Sequence, residues 1–134
     1  MKISTIHSES EARKVSTRTL LAAGKYPARI IEAVEKTSKA GNDMIELRVG
    51  VIDRNGNVRE FRDWLVATDR GALKLRHAAE AVGALAQYEA GEISAEDFPG
   101  HDVRVQIGVE KKRGYPDQNR IEDYSVLPTN KTNM

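Results

Sequence analysis

The feature that most constrains this chain is a pair of alternating segments joined by a tight turn. Residues 44–52 carry Ile45, Leu47, Val49 and Val51 in strict alternation with Glu46, Arg48 and Gly50. That period of two is the signature of a strand with one face buried and one face wet. Asp53-Arg54-Asn55-Gly56-Asn57 follows as a turn, and residues 58–66 form the second strand. A slip of one residue would turn every apolar side chain of such a hairpin towards water, so its register can be read. With Arg54-Asn55-Gly56 as a three-residue loop and Gly56 in the left-handed bulge position, Asp53 faces Asn57, Val49 faces Phe61 and Ile45 faces Leu65. A two-residue Asn-Gly loop sets Arg62 against core-facing Val49 and is the worse solution. The chosen register collects Arg48 opposite Arg62, and Trp64 opposite Glu46, on the outer face. Two facing arginines repel unless an anion lies between them. An exposed Trp beside them is a surface on which a base can stack, for about 1–3 kcal/mol. A lone Trp is equally at home in a core, and both readings stay open here. The same register turns Asp63 inward against Leu47, which predicts either a bulge or a place near a barrel end.

The remaining segments complete an order of elements. A strand over 25–34 precedes the turn-rich run 36–42. Thr68 or Asp69 can cap a helix over 70–85, with Ala72, Leu75, Ala79 and Val82 on one stripe. Ser94-Ala95-Glu96-Asp97 reads as the capped first turn of a second short helix, and Pro99-Gly100 ends it. Strands over 103–110 and 120–127 flank a loop at 111–119. The expectation is a mainly β fold, a five-stranded OB-fold barrel (β-β-β-α-β-β) with one helix between strands 3 and 4. Other small α+β folds fit the same order. With 134 residues, one domain is expected over 20–128, with a flexible arm at 1–19 and a disordered tail at 129–134.

Catalytic chemistry finds little to build on. There is no cysteine, and His7, His77 and His101 lack metal-ligand spacing. No nucleophile–base–orienter set stands out, so no enzyme, cofactor or metal is expected. Neither a leader-like apolar run nor a stretch long enough to cross a bilayer is visible, and the expected compartment is the cytoplasm. Net charge is only +1, weak support for a polyanion partner, so the position of the charges matters. Lys36 and Lys39 lie in the turn after the first strand. Lys111, Lys112, Arg113 and Tyr115 lie in the turn between the last two strands, with Arg120 just beyond. In an OB barrel these two turns flank the ligand face, the outer side of strands 2 and 3. They are expected to converge on one rim, with Arg48, Arg62 and Trp64 between them and Arg29 as a further phosphate contact. Tyr26 is expected in the core. Tyr124 shares a face with Arg120 and Glu122, which argues for the surface, and with Val126, which argues against it, and both readings stay open.

Three runs carry a family likeness: Gly24-Lys25-Tyr26-Pro27-Ala28-Arg29-Ile30, Glu35-Lys36-Thr37-Ser38-Lys39-Ala40-Gly41-Asn42, and Met44-Ile45-Glu46-Leu47. Lys74-Leu75-Arg76, Gly83, Ala90-Gly91-Glu92, Phe98-Pro99-Gly100 and Asp123-Tyr124 extend it, so that it covers about residues 20–127. Together they resemble a phage and prophage family of small OB-fold proteins encoded near replication and recombination genes and thought to bind single-stranded DNA. The resemblance implies DNA contacts at Lys36, Lys39, Lys111, Lys112 and Arg113. The better-known bacterial single-strand binders end in an acidic tip that recruits partners. Here the last residues are Asn130-Lys131-Thr132-Asn133-Met134, so recruitment by that route is not expected. Two other classes remain: an OB protein-interaction module that recruits a replication or recombination enzyme, and an RNA-binding OB module. The oligomeric state, a homodimer included, is left open.

Overall fold

The computed structural model describes residues 20–128; the expected arm and tail lie outside them. Five strands form one antiparallel sheet, β1 (Gly24–Thr37), β2 (Asp43–Ile52), β3 (Val58–Val66), β4 (Asp102–Glu110) and β5 (Gln118–Ser125), in the order β3-β2-β1-β4-β5. The hairpin register is the one the alternation dictates. Val49 pairs with Phe61, Arg48 with Arg62 and Glu46 with Trp64. Gly56 has φ +86°, which an L side chain rarely adopts, so glycine is required at that turn.

The long β1 spans both halves of the sheet. Its first half pairs with β4 (Gly24 with Ile107, Arg29 with Asp102), while Ala28 to Thr37 pair with β2. The register shifts between Ile30 and Glu32, so Ile31 is an extra residue. A bulge of this kind bends the strand and sharpens its twist, which lets one sheet curl round its own core. That core is fully buried aliphatic surface from both halves (Ile30, Leu47, Val49, Leu65, Val105, Ile107), with Phe98 inserted from the segment before β4.

The ladder does not close. β3 and β5 are the edges, with no backbone pairing between them, so the sheet is open rather than a hydrogen-bonded barrel. Side chains cross the gap instead. Asp63 faces inward from the middle of β3, opposite Leu47, with no bulge beside it. It is the one buried charged residue among the described residues. The Tyr124 hydroxyl on β5 donates to its Oδ2 at 2.7 Å. Lys74 Nζ donates to its Oδ1 at 2.9 Å and to the Ile121 carbonyl at 2.9 Å. Neither a bulge nor a barrel end explains Asp63; a complete set of partners does, because a buried charge is tolerated when paired and hydrogen-bonded. Burial, then the neighbouring Asp63 charge, holds the Tyr124 phenol well above its usual pKa.

Tyr124 is therefore a core residue and not a surface one. A register shift between Gln106 and Ile107 skips Glu122. That extra residue reverses the phase of β5 and brings Tyr124 onto the same side as Ile121.

The helical segment is broken up more than its periodicity suggests. The first helix, α1, is Ala72–Ala81, with buried Leu75, Ala78 and Ala79. Gly83 at φ +78° ends it, and the Ala84 amide donates back to the Ala79 carbonyl. A five-residue α2 (Leu85–Glu89) follows, which the sequence pattern does not announce. The Ser94 segment makes only a 3-10 turn over Ala95–Asp97, where the Ser94 amide donates to the Asp97 carboxylate. No helix among the described residues is long and apolar enough to cross a membrane.

Candidate nucleic-acid interface

The outer face of β1, β2 and β3 takes its geometry from the register. One row across the strands is Val34, Glu46 and Trp64; the next is Glu32, Arg48 and Arg62. Trp64 is 45% exposed and Val34 50% exposed. The Trp stands outward because its neighbours in β3, Asp63 and Leu65, take the inward positions.

The guanidinium groups on this face are not bare. Glu46 sits between Lys36 Nζ and Arg62 Nη1, 2.6 Å from each. Arg48 lies 3.2 Å from Glu32 and 3.2 Å from Glu60. Three cations and three carboxylates thus alternate across three strands. Each arginine of the facing pair has the protein's own carboxylates beside it, Glu32 and Glu60 at Arg48 and Glu46 at Arg62, so their repulsion is relieved without a ligand. Lys36, then Arg62, holds the Glu46 carboxyl below the usual carboxylate range, and Glu60 with Glu32 raises Arg48. Glu32, Glu46 and Glu60 are the residues that attention to basic side chains alone leaves out. Glu46 and Glu60 could have been placed from the hairpin register. Glu32 could not, because the bulge at Ile31 changes the phase of β1.

Arg29, on the first half of β1, makes a two-pronged contact with Asp102 at 2.7 and 3.2 Å. Each partner moves the other's pKa further into its charged range. Arg120 lies 3.8 Å from Glu110, and Lys111 lies 3.8 Å from Asp117. Lys39, Lys112 and Arg113 are exposed and make no ion pair with another described residue.

The two basic turns do not meet. The β1–β2 turn leaves the C-terminal end of β1, where Thr37 pairs with Asp43. The β4–β5 turn lies past its N-terminal end, because β4 continues three residues beyond the Ile107 that pairs with Gly24. They bracket the long strand rather than share one rim. In the second turn Gly114 has φ +84° and the Tyr115 amide donates to the Lys112 carbonyl. Tyr115 is left 68% exposed, lining a shallow cavity of about 340 Å³ with Lys112, Pro116 and Glu110.

A further cavity of about 350 Å³ opens at the opposite, helical end. Its lining is apolar (Ile45, Leu65, Leu75, Ile93), with Glu35 and Asp43 also bordering it. Among the described residues no group of three or more His, Asp or Glu side chains could hold a metal ion. His77 Nδ1 instead lies 2.8 Å from Asp123. No protein-family model matches this chain, and none of the curated proteins matches it in sequence.

Proposed function

We propose that this chain is a non-catalytic OB-type protein that binds single-stranded DNA, with little sequence preference, across the outer face of β1–β2–β3. The strand order β3-β2-β1-β4-β5 supports the OB reading, as does the bridging of edges β3 and β5 by Asp63, Lys74 and Tyr124. In this reading the side-chain seam stands where a closed barrel has a ladder. The observation that carries the function is Trp64: a large ring held outward between Lys36, Arg62 and Arg48, on the face such folds use for ligands. Lys39 at one end, and Lys112, Arg113 and Tyr115 at the other, supply cations and a second ring for a strand crossing between them. A role in phage or prophage replication or recombination, in a host cytoplasm, follows from the family resemblance alone.

Trp64 is the only Trp in the chain, so intrinsic fluorescence reports on it directly. Titration with oligo-dT at low salt should quench it, and filter binding should rank single strand above duplex, with affinity falling as salt rises. Oligo-U run beside oligo-dT separates an RNA binder from a DNA binder. Flat fluorescence together with no retention on the filter at low salt rejects the proposal.

A second reading has its own support. The charges on the β1–β3 face are internally balanced, and an apolar cavity with two carboxylates on its border lies at the helical end. Both suit a module that docks a protein segment and touches no nucleic acid.

A further inference from the structure

We infer that Glu46 is a built-in competitor for phosphate that sets the affinity of the proposed single-strand site; the inference rests on that reading of the face. Glu46 occupies the place a backbone phosphate would take. It is an anionic group 2.6 Å from both Lys36 Nζ and Arg62 Nη1, directly across the ladder from Trp64. Its side chain is only 11% exposed, whereas those of Lys36 and Arg62 remain 49% and 67% exposed. The carboxylate is therefore anchored while its two partners are free to swing towards a ligand. A phosphate arriving beside Trp64 must take these cations from Glu46, and the exchange yields little net charge neutralisation. Binding then draws on base stacking at Trp64 and on Lys39, Lys112 and Arg113, while Lys36 and Arg62 add little until Glu46 is neutral.

The consequence is opposite in sign to that of most changes at a binding face, where removing a polar residue weakens the complex. E46Q keeps the shape and removes the charge, so it should tighten binding to oligo-dT about three- to tenfold at moderate salt. Each phosphate neutralised on a single strand adds about 0.7 to the slope of log affinity against log salt. E46Q should therefore steepen that slope by about 1.4, for the two cations released. The experiment is filter binding of wild type and E46Q to a labelled oligo-dT at several salt concentrations, with a melting curve for each protein. Tighter binding with a steeper slope supports the inference. Wild type that binds, with E46Q equal or weaker, overturns the inference and leaves the proposed function standing. No binding by either protein overturns both. If E46Q does not fold, E46A carries the test, because it removes the same charge from between Lys36 and Arg62 and leaves no amide to satisfy. It should shift affinity and slope the same way, and no change with E46A then overturns the inference.

Discussion

Two carboxylates on neighbouring strands are held in nearly the same manner and serve opposite ends. Asp63 faces inward and takes hydrogen bonds from Lys74 at 2.9 Å and Tyr124 at 2.7 Å. Glu46 faces outward and has Lys36 and Arg62 each at 2.6 Å. By distance alone the outer pairs are the tighter. The partners reverse that ranking: both carboxylate side chains are 11% exposed, but Lys74 is 20% exposed where Lys36 and Arg62 are 49% and 67%. Around Asp63 water is scarce, one partner is a neutral phenol, and no ligand can reach the group to replace it. Around Glu46 both cations keep their outer sides in solvent, where an ion pair contributes little and is screened by salt. The inner set holds two strand edges together, and the outer set is exchangeable. The difference lies in what surrounds the pair and not in its length.

The sharpest way to break this comparison is to remove the inner carboxylate. D63A leaves the Lys74 ammonium and the Tyr124 hydroxyl without their partner at the β3–β5 gap. It should destabilise the fold by about 3 kcal/mol. The melting temperature should fall by about 10 °C or more for a domain of this size. A thermal melt in which D63A behaves as wild type would show that the edges are held together without this network. On the outer side, W64A should leave the melting temperature nearly unchanged and weaken oligo-dT binding by about 1–3 kcal/mol, or roughly five- to 150-fold. If W64A melts early instead, the ring belongs to the core and the face loses its platform. The double variant K112A/R113A should have a smaller effect, flattening the salt dependence by about 1.4 in slope for two lost phosphate contacts on a single strand. An unchanged slope would remove the β4–β5 turn from the interface.

The sequence makes the β2–β3 hairpin readable to the residue, because period-two alternation and a glycine-bearing turn admit one register. The inward position of Asp63 follows from that register, yet its meaning does not. Its partners Lys74 and Tyr124 come from 11 and 61 residues away, and no local pattern joins them. The bulges at Ile31 and Glu122 are hidden for a different reason. An extra residue leaves no compositional mark, but it changes the face of everything after it, as with Glu32 and Tyr124. The basic side chains of the candidate site are legible as residues. Their neutralisation is a cross-strand property: the Arg48–Glu60 and Arg62–Glu46 pairs follow from the hairpin register, while the Lys36–Glu46 and Arg48–Glu32 pairs need the register of β1 as well. Helix α2 lacks a capping side chain and a buried stripe, so neither of the usual signals marks it.

The two regions should also separate on the pH axis, at opposite ends. Tyr124 has its pKa raised, by burial first and by the Asp63 charge second. Its contribution is complete below the unfolded phenol's pKa of about 10. Above that value the unfolded chain releases a proton that the buried phenol keeps, so stability falls with rising pH by at most about 1.4 kcal/mol per unit from this group. Glu46 has its pKa lowered by Lys36 and Arg62. Its contribution is present above the unfolded carboxyl value of about 4.3 and is lost as pH falls towards the folded one. The alkaline limb thus reports on the seam, and the acid limb on the face together with the Arg29–Asp102 pair, whose carboxyl is also lowered. Y124F should cost about 1 kcal/mol at neutral pH, for the lost hydrogen bond, and should flatten the alkaline limb of a denaturant-midpoint series. E46Q should leave that limb alone and change the acid one only slightly, because solvent already screens its partners. If Y124F leaves the alkaline limb as steep as before, the phenol is not held in its neutral form by the seam. In that case the contrast between the two carboxylates would no longer rest on the burial of their partners.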